Sequence, residues 1–245
     1  MKRRYLAGRQ PWFKRAFRWV VGLGGDYRHP DSRAELVHAI AEQPPDAVCV
    51  AIGGGPTRAH QRLVNLNLAP FPNVDVVGSA FDLPFADGSV GAVYCEAVLE
   101  HLEYPERAVA EMFRVLRPGG QVFAVTPFLQ GFHGYPSHYQ NYTLIGHRRL
   151  FERAGFETVA AGVCVGPVRA LVDIVAKTLA TSLPGVAGKV AAACWLLFGV
   201  LIRPLDLILN RLPEAHRVAS TTYVRCRKPA GAGAGDATSP GGGVQ

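Results

Sequence analysis

The chain alternates between short runs of consecutive apolar residues and segments in which apolar residues recur every three or four positions. Residues 90–94 form a continuous apolar run, which is typical of a parallel strand buried on both faces. Pro105 is suited to open a helix, because the first helical turn has no partner for its N–H group. Four apolar residues then share one face of this predicted helix: Val109, Met112, Phe113 and Leu116. The pattern predicts a buried strand followed by an amphipathic helix.

A tight turn and a further strand follow. Pro118, Gly119 and Gly120 permit a sharp reversal of the chain, and we expect them to end the helix. Residues 121–126 are again apolar and β-branched, as in a second buried strand. The sequence of strand, helix, turn and strand predicts one half of a doubly wound α/β sheet.

Two more apolar runs lie upstream of this unit. Residues 47–52 lead directly into the glycine run Gly53, Gly54 and Gly55, and residues 63–68 form the next predicted strand. The connection at residues 56–62 is only seven residues long, whereas a parallel crossover usually takes about a dozen or more. We therefore expect the helix that normally follows the first strand to be reduced to a turn.

The order of these motifs resembles that of the class I S-adenosylmethionine-dependent methyltransferases, and of their type 11-like members in particular. The resemblance rests on the loop acid Asp82, on EAVLEH at residues 96–101 and on RVLRPGG at residues 114–120. It covers about residues 31–228 and depends on the order of the motifs, since no single motif is specific. It implies a Rossmann-like, mostly parallel seven-stranded sheet with a helical apolar insertion before the last strand, at residues 221–227.

The resemblance also implies where the cofactor, S-adenosylmethionine, would bind. Glycines after the first strand would let the backbone approach the methionine part of the cofactor. Asn67 stands where the family has an acid for the ribose hydroxyls, and its amide can accept one hydrogen bond and donate another. Asp82 stands where an acid accepts the adenine amino group, although a surface turn acid is the alternative. The predicted cofactor-binding set is Gly53, Gly54, Gly55, Asn67, Ala80, Phe81, Asp82, Glu96 and Ala97.

The loop after the fifth strand is rich in aromatic residues and histidines, and in the family it lines the acceptor pocket. The predicted pocket residues are Phe128, Tyr135, Tyr139 and Tyr142. A hydroxyl acceptor must lose its proton, and an imidazole with a pKa of about 6.5 can remove it at neutral pH. The candidate catalytic bases are His101, His133 and His138. Each histidine could instead only stabilise the loop by hydrogen bonding, and no metal cluster is evident in the sequence.

Positive charge is concentrated at the start of the chain. The chain has 26 Lys and Arg against 19 Asp and Glu, and residues 1–30 hold eight of these bases and one acid. The remainder is neutral. A nucleic-acid enzyme would spread its basic residues around the substrate cleft, so we expect no nucleic-acid partner. A helix at residues 11–21 would place aromatic residues opposite cations, which suits an anionic membrane surface; packing on the domain is the alternative.

A second apolar region lies in the predicted insertion at residues 168–212. Residues 190–202 carry no charge, but this run is shorter than the roughly 20 apolar residues that a spanning helix needs. The segment could dock on a membrane, cover an apolar acceptor, form a homodimer contact or pack as a core helix. We therefore divide the chain into a basic arm (1–30), a methyltransferase domain (31–228) and a flexible tail (229–245).

Together these features predict a methyltransferase that acts at oxygen on a small or lipid-linked acceptor at the inner, cytoplasmic face of the membrane. The alternative is a non-catalytic relative that keeps the sheet and serves as a membrane-associated binding partner. The replacement of the ribose acid by Asn67 makes that alternative tenable. A nucleotide-dependent reductase would need its glycine loop to continue into a helix, which the short connection at residues 56–62 argues against.

Overall fold

The computed structural model describes residues 27–134 and 137–231 and contains a seven-stranded sheet. Its strands are β1 (Val48–Ile52), β2 (Leu63–Asn67), β3 (Val76–Val77), β4 (Val90–Glu96), β5 (Leu116–Pro127), β6 (Glu157–Val165) and β7 (Thr221–Arg227). They lie side by side in the order β3-β2-β1-β4-β5-β7-β6. Strands β1 to β5 run parallel, and β7 is antiparallel to both of its neighbours. The predicted fold class, a mostly parallel seven-stranded sheet, is confirmed.

The sheet is covered on both faces because successive strand residues point to opposite sides. In β5, Val122 and Ala124 join one hydrophobic cluster, whereas Phe123 and Val125 join the other. The helices are α1 (Pro30–Ala41), α2 (Pro105–Val115), α3 (Leu144–Glu152), α4 (Pro167–Ser182), α5 (Gly185–Ile202) and α6 (Asp206–Leu209). Helix α2 starts at Pro105 as predicted, and its apolar residues are buried in the first cluster. This alternation fixes the register of the strands and hence the positions of their ends.

The turn after α2 differs from the sequence prediction. The helix ends at Val115, and the residues predicted to form a free reversal already belong to β5. The pairing of β4 with β5 jumps from Val90–Leu116 to Ala92–Gln121, so the extra residues form a bulge within the strand. Gly119 sits in this bulge with a φ of 77°, a conformation that glycine adopts without strain.

The connection between β1 and β2 contains no helix, as its length predicts. Residues 53–62 form turns and bends, and β1 still pairs with β2 in parallel. The sheet edge at Gly53 is therefore not covered by a first crossover helix.

The insertion between β6 and β7 is helical, and its apolar helix is longer than the uncharged run at residues 190–202. Helix α5 has 18 residues, because Gly185 to Lys189 extend the apolar run at its start. Helix α4 is held at its first turn by the buried Asp206, whose carboxylate accepts the N–H groups of Val168 (2.9 Å) and Arg169 (3.0 Å). The insertion leaves the sheet at Val165 and returns at Thr221, two residues that pair across β6 and β7.

Three predicted features lie wholly or mostly outside the described residues. These are the amphipathic segment at residues 11–21, the pocket residue Tyr135 and the flexible tail, which is described only as far as residue 231. The description of the chain begins at Tyr27, and the residues that follow it pair with the end of β6 through an Arg28–Val165 bridge. The basic arm thus joins the domain beside the insertion.

Candidate functional site

A pocket opens where β4 and β5 end at the carboxyl edge of the sheet. Its walls include Glu96, Ala97, Glu100, Thr126 and His133, together with residues from the start of β7. In open α/β sheets this edge is where ligands bind. The pocket is therefore the leading candidate for the functional site among the described residues.

The conformation of the glycine loop, Gly53 to Gly55, is restricted by side chains packed against it. Gly53 has a φ of 74°, and a Cβ there would lie 2.2 Å from Cγ2 of Val98. A Cβ on Gly54 would lie 2.2 Å from the side-chain oxygen of Asn65. Asn65 is fully buried and donates its amide protons to the carbonyls of Gly55 (3.0 Å) and Asn73 (2.8 Å). Asn65, which the sequence analysis missed, holds the loop in place.

The predicted ribose and adenine residues lie at the ends of the next two strands. Asn67 is half-buried at the end of β2, and its side-chain oxygen accepts the N–H of Ala69 at 3.2 Å. Asp82 is exposed on a turn that bridges back to Ser79. The turn is held against helix α2, because the N–H of Leu83 donates to the carboxylate of Glu111 at 2.9 Å. Asp82 is thus an accessible carboxylate on a rigid turn, with Ala80 and Phe81 half-buried beside it.

Glu96 is tied to two side chains at the end of β4. Arg28 forms an ion pair with its carboxylate, and the hydroxyl of Tyr94 donates to it. Burial, reinforced by this carboxylate, raises the pKa of Tyr94 well above its usual value, which keeps the hydroxyl a donor. The next residue, Ala97, has a φ of 54°, which is unusual for a residue with a Cβ. Such strain in a non-glycine residue is concentrated at functional sites.

A buried carboxyl and two histidines meet in the wall of the pocket. Glu100 is 1% exposed, and its Oε1 lies 3.8 Å from Nε2 of His101 and 3.9 Å from Nε2 of His133. Burial raises the pKa of Glu100 to about 7, with a smaller contribution from the charge of Glu96. Burial also lowers the pKa of His133. Glu100 and His133 are therefore held in surroundings that disfavour an isolated charge.

The three candidate histidines differ in their hydrogen bonds. Nδ1 of His101 bonds the carbonyl of Ser137, and Nδ1 of His133 bonds the carbonyl of Gly131 at 3.1 Å. His138 uses both ring nitrogens, accepting the N–H of His133 at 3.3 Å and contacting Asn141 at 2.8 Å. His101 and His133 each keep Nε2 for another partner, whereas His138 stabilises the loop. The geometry favours the first two as functional groups.

The predicted aromatic residues are not part of the pocket lining that the structure describes. Tyr139 is half-exposed away from the lining, Phe128 packs at the end of β5, and Tyr142 packs against the main core. Burial raises the pKa of the Tyr142 hydroxyl. The lining is instead completed by polar residues that the sequence analysis missed, including Gln130, Arg169 and Ser220. These polar side chains can bind a polar reacting group.

Comparison with known proteins identifies relatives of the first half of the sheet. Residues 46–124 match a family model described as a methyltransferase domain. A Mycolicibacterium smegmatis protein named as an S-adenosylmethionine-dependent methyltransferase is 38% identical over 96 residues, 36% of this chain and 37% of that protein. A demethylmenaquinone methyltransferase of Renibacterium salmoninarum is 44% identical over 52 residues, 21% of this chain and 22% of that protein. The chain thus spans well under half the length of these relatives.

Solved structures extend the likeness to the whole sheet. The phosphoethanolamine N-methyltransferase 2 of Haemonchus contortus, in complex with S-adenosyl-L-methionine, superposes with a TM-score of 0.50. The match covers 87% of this chain and 56% of that protein, at 12% sequence identity. At this identity the two proteins share a fold, and the chemistry must be argued from the site.

Proposed function

We propose that this protein transfers the methyl group of S-adenosylmethionine to a small or lipid-linked acceptor, because residues 46–124 match a methyltransferase domain and the chain is similar to a protein named as S-adenosylmethionine-dependent. The observation that carries the proposal is the backbone cradle at Gly53, Gly54 and Gly55, which lies with Asn67 and the exposed Asp82 at or after the carboxyl ends of successive parallel strands, where open α/β sheets bind ligands. It lies at the sheet edge onto which the acceptor pocket opens.

The residues present fit this cofactor. The glycine cradle would take its methionine part, Asn67 its ribose, and the exposed carboxylate of Asp82 its adenine amino group. When bound, the cofactor supplies an electrophilic methyl group on a sulfonium. The protein then has to align an acceptor with that methyl group and exclude water.

We propose oxygen as the acceptor atom. The lining offers Glu100, Thr126 and His133, which would bind and orient a hydroxyl group. His133 keeps Nε2 for a ligand, since its Nδ1 is bonded to Gly131. In this proposal His133, with His101 beside it, contacts the acceptor hydroxyl, and His138 holds the loop.

The apolar insertion supports a lipid-linked acceptor and attachment to a membrane. Of the described residues, one segment, Gly185–Leu209, is long and apolar enough to cross a membrane by length and composition. Only 17% of its most apolar stretch of 18 residues is buried, whereas a core helix would be mostly buried. Its exposed apolar residues include Val186, Val190, Leu197, Phe198, Leu201 and Ile208. Such a surface favours contact with lipid.

The basic arm joins the domain next to this surface, which supports a shared membrane-facing side. Tyr27, the first described residue, accepts a hydrogen bond from Asn210 at 2.8 Å, and a surface groove is lined by Tyr27, Arg33 and Leu207 together. Cations in the arm would add attraction to anionic lipid of about 1 kcal/mol each near the surface. Because the cytoplasmic leaflet carries anionic lipids, we propose that the protein lies at that face of the membrane.

Isothermal titration with S-adenosylmethionine tests the proposed activity without knowledge of the acceptor. Replacement of Asp82 by Ala should weaken binding by about 1 to 3 kcal/mol, because a hydrogen bond to a charged group is lost. Asp46→Ala is a matched control, since Asp46 is an exposed acid just before β1, at the opposite end of the strand.

Two results would count against the proposal. Equal affinity of wild type and Asp82→Ala would remove Asp82 from the cofactor site. No binding by the wild-type protein would contradict methyl transfer and favour the non-catalytic, membrane-associated alternative.

Liposome flotation tests the membrane proposal. The full-length protein should float with anionic vesicles and be partly released by salt, since only the electrostatic part is screened. Leu201→Glu should reduce flotation more than Ile145→Glu, because both residues are exposed, 76% and 70%, but only Leu201 lies in the insertion. A variant that lacks the basic arm should have Tyr27 as its first residue, so that the contact between Arg28 and Glu96 is kept. Equal flotation of the two Glu variants would exclude the insertion as the membrane contact.

A further inference from the structure

Three donor atoms in the pocket wall converge on one point. The side chains of Glu100, His101 and His133 each offer one atom, and these atoms all lie within 4.8 Å of one another. The distances from Glu100 Oε1 to the two Nε2 atoms, 3.8 and 3.9 Å, are too long for hydrogen bonds. Ligands of a tetrahedral ion with bonds of about 2.1 Å lie about 3.4 Å apart, so a small inward shift would make them fit.

Both histidines are fixed in the form that can bind a cation. A backbone carbonyl only accepts hydrogen bonds, so the bonds to Ser137 and Gly131 require the proton of each ring to be on Nδ1. Nε2 of each ring then has a free lone pair, and both lone pairs lie on the side of Glu100. Histidines that bind metals usually donate their other N–H to a carbonyl or a carboxylate in this way.

The carboxyl of Glu100 provides an independent reason for a cation. Glu100 is almost fully buried, and its Oε2 has no hydrogen-bond partner in the described part of the chain. A buried polar atom without a partner is costly, and a buried carboxylate is stable only when it is paired or binds a metal. A divalent cation held between the three side chains would supply that charge.

The loop that carries His133 is also supported from outside the cluster. Lys177 of α4 donates from Nζ to the carbonyls of Gly131 (2.7 Å) and Phe132 (3.2 Å). Gly131 is the residue whose carbonyl fixes the ring of His133. The N–H of Tyr139 donates to the carbonyl of Glu100 at 2.8 Å, which holds the far end of the loop to the same turn. The donor set is therefore braced on both sides.

We propose that Glu100, His101 and His133 bind one divalent first-row transition-metal ion, with Zn²⁺ as the test ion. Two imidazole nitrogens and one carboxylate oxygen suit such an ion and leave coordination positions open. Glu100 and His133 line the pocket, so an ion that they hold would lie beside the space where the acceptor would bind.

The role of the ion rests on the proposed methyl transfer, whereas its binding does not. An acceptor hydroxyl bound to the ion would lose its proton to solvent more easily, because the ion lowers the pKa of the hydroxyl. The resulting oxygen attacks the methyl group; a C–O bond forms, the C–S bond breaks, and the sulfur keeps the electron pair. A lone pair that binds the ion cannot also accept a proton, so His101 and His133 are then ligands and not bases.

The test uses full-length protein from which any histidine tag has been removed and which has been dialysed against a chelator. Titration with Zn²⁺ should show one strong site per chain, and Co²⁺ at the same site should give visible absorption. Glu100→Gln and His133→Gln should each raise the dissociation constant for Zn²⁺ about 100-fold or more, since each removes a direct ligand. Wild-type affinity in both variants would overturn the proposal.

His138→Gln is the local control. His138 lies on the same loop, with its ring centre 4.2 Å from that of His133, but both of its nitrogens already have partners. This variant should keep the Zn²⁺ affinity within about tenfold of wild type, the smallest loss usual for a group beyond the direct ligands. If His138→Gln loses the site and His133→Gln keeps it, the proposed ligand set is wrong. Circular dichroism of the metal-free proteins identifies any variant that fails to fold. If a ligand variant does not fold, the Co²⁺ spectrum of His101→Gln is measured in place of its titration.

Metal binding and methyl transfer can fail separately. Titration with S-adenosylmethionine in the presence of a chelator reports the cofactor site alone. Zn²⁺ binding without cofactor binding would support the metal site and contradict the proposed methyltransferase. Cofactor binding with no Zn²⁺ binding by the wild-type protein would support the proposed methyltransferase and contradict the metal site.

Discussion

The two halves of the sheet edge are built in different ways. The cofactor half, where we propose that S-adenosylmethionine binds, takes its residues from one stretch of chain, from Gly53 to Asp82, which crosses the ends of successive strands. The acceptor half, where we propose that the acceptor binds, joins Glu100 and His101 to His133 on a distant loop, which is held by Lys177 of the insertion. The first half depends on backbone conformation, and the second depends on side chains packed from three separate elements.

Because they are built differently, the two halves should be sensitive to different kinds of substitution. A change of backbone freedom should damage the cofactor half, whereas a change of charge or packing should damage the acceptor half. The following experiments test that distinction, beginning with the largest expected effect.

Gly53→Ala should be the most damaging change in the cofactor half. Its φ of 74° strains any residue with a Cβ, and that Cβ would also collide with Val98. We expect the free energy of unfolding to fall by about 2 to 4 kcal/mol in chemical denaturation. Gly55→Ala is the matched variant, because its φ is 59° but nothing lies within 4 Å of the new Cβ. It should lose only about 1 to 2 kcal/mol from the backbone alone.

Adding Val98→Ala to Gly53→Ala should recover part of the loss by removing the collision. Equal losses in the two glycine variants would mean that Val98 moves freely. The cofactor half would then be less rigid than its contacts indicate.

The acceptor half should be sensitive to acid through a residue beneath it. His147 is fully buried between β5 and β7, where its Nδ1 lies 3.1 Å from the hydroxyl of Thr126 and 3.3 Å from that of Thr222. Burial lowers its pKa to about 3, so between about pH 6.5 and pH 3 the unfolded chain binds a proton that the folded protein does not. Stability is therefore lost as the pH falls below about 6.5.

The expected loss from His147 at pH 5 is about 2 kcal/mol relative to neutral pH. It is measured as the difference between urea unfolding curves at pH 7.5 and pH 5. His147→Asn should show a smaller difference between the two pH values, even if it is less stable at both. An unchanged difference would exclude His147 as the source of acid sensitivity.

Asn67→Asp should have the smallest effect and the opposite sign. A carboxylate at the end of β2 is a stronger acceptor for ribose hydroxyls than an amide, so S-adenosylmethionine affinity should stay level or rise by about 1 kcal/mol. Titration calorimetry measures this change, and the thermal unfolding of the variant controls for a loss of structure. A clear loss of affinity in a folded variant would mean that Asn67 does not contact the ribose.

The fold was largely predictable because its signals are local. Apolar runs, Pro105 and the glycine run mark element ends without knowledge of the rest of the chain, and the missing crossover helix follows from length. The bulge at Gly119 was not predictable, since a proline–glycine sequence at a helix end is compatible with a turn or an irregular strand.

The acceptor site was less predictable because residue type did not determine its roles. His133 and His138 lie on one loop, and only their hydrogen-bond partners distinguish a free Nε2 from a structural ring. The convergence of His101 and His133 on Glu100 depends on how the loop folds back. Asn65 gave no signal of its own, because a lone asparagine in an apolar strand does not reveal which loop it will hold.

The departure of the insertion at Val165 and its return at Thr221 have an evolutionary consequence. These two residues are already neighbours across the sheet, so a short hairpin turn would join them as well as the insertion does. Each doubling of a connecting segment adds only about 0.6 kcal/mol of closure entropy, so the sheet tolerates segments of very different length there. The insertion is thus a separable segment, whose length and sequence can change without a change in the fold of the sheet.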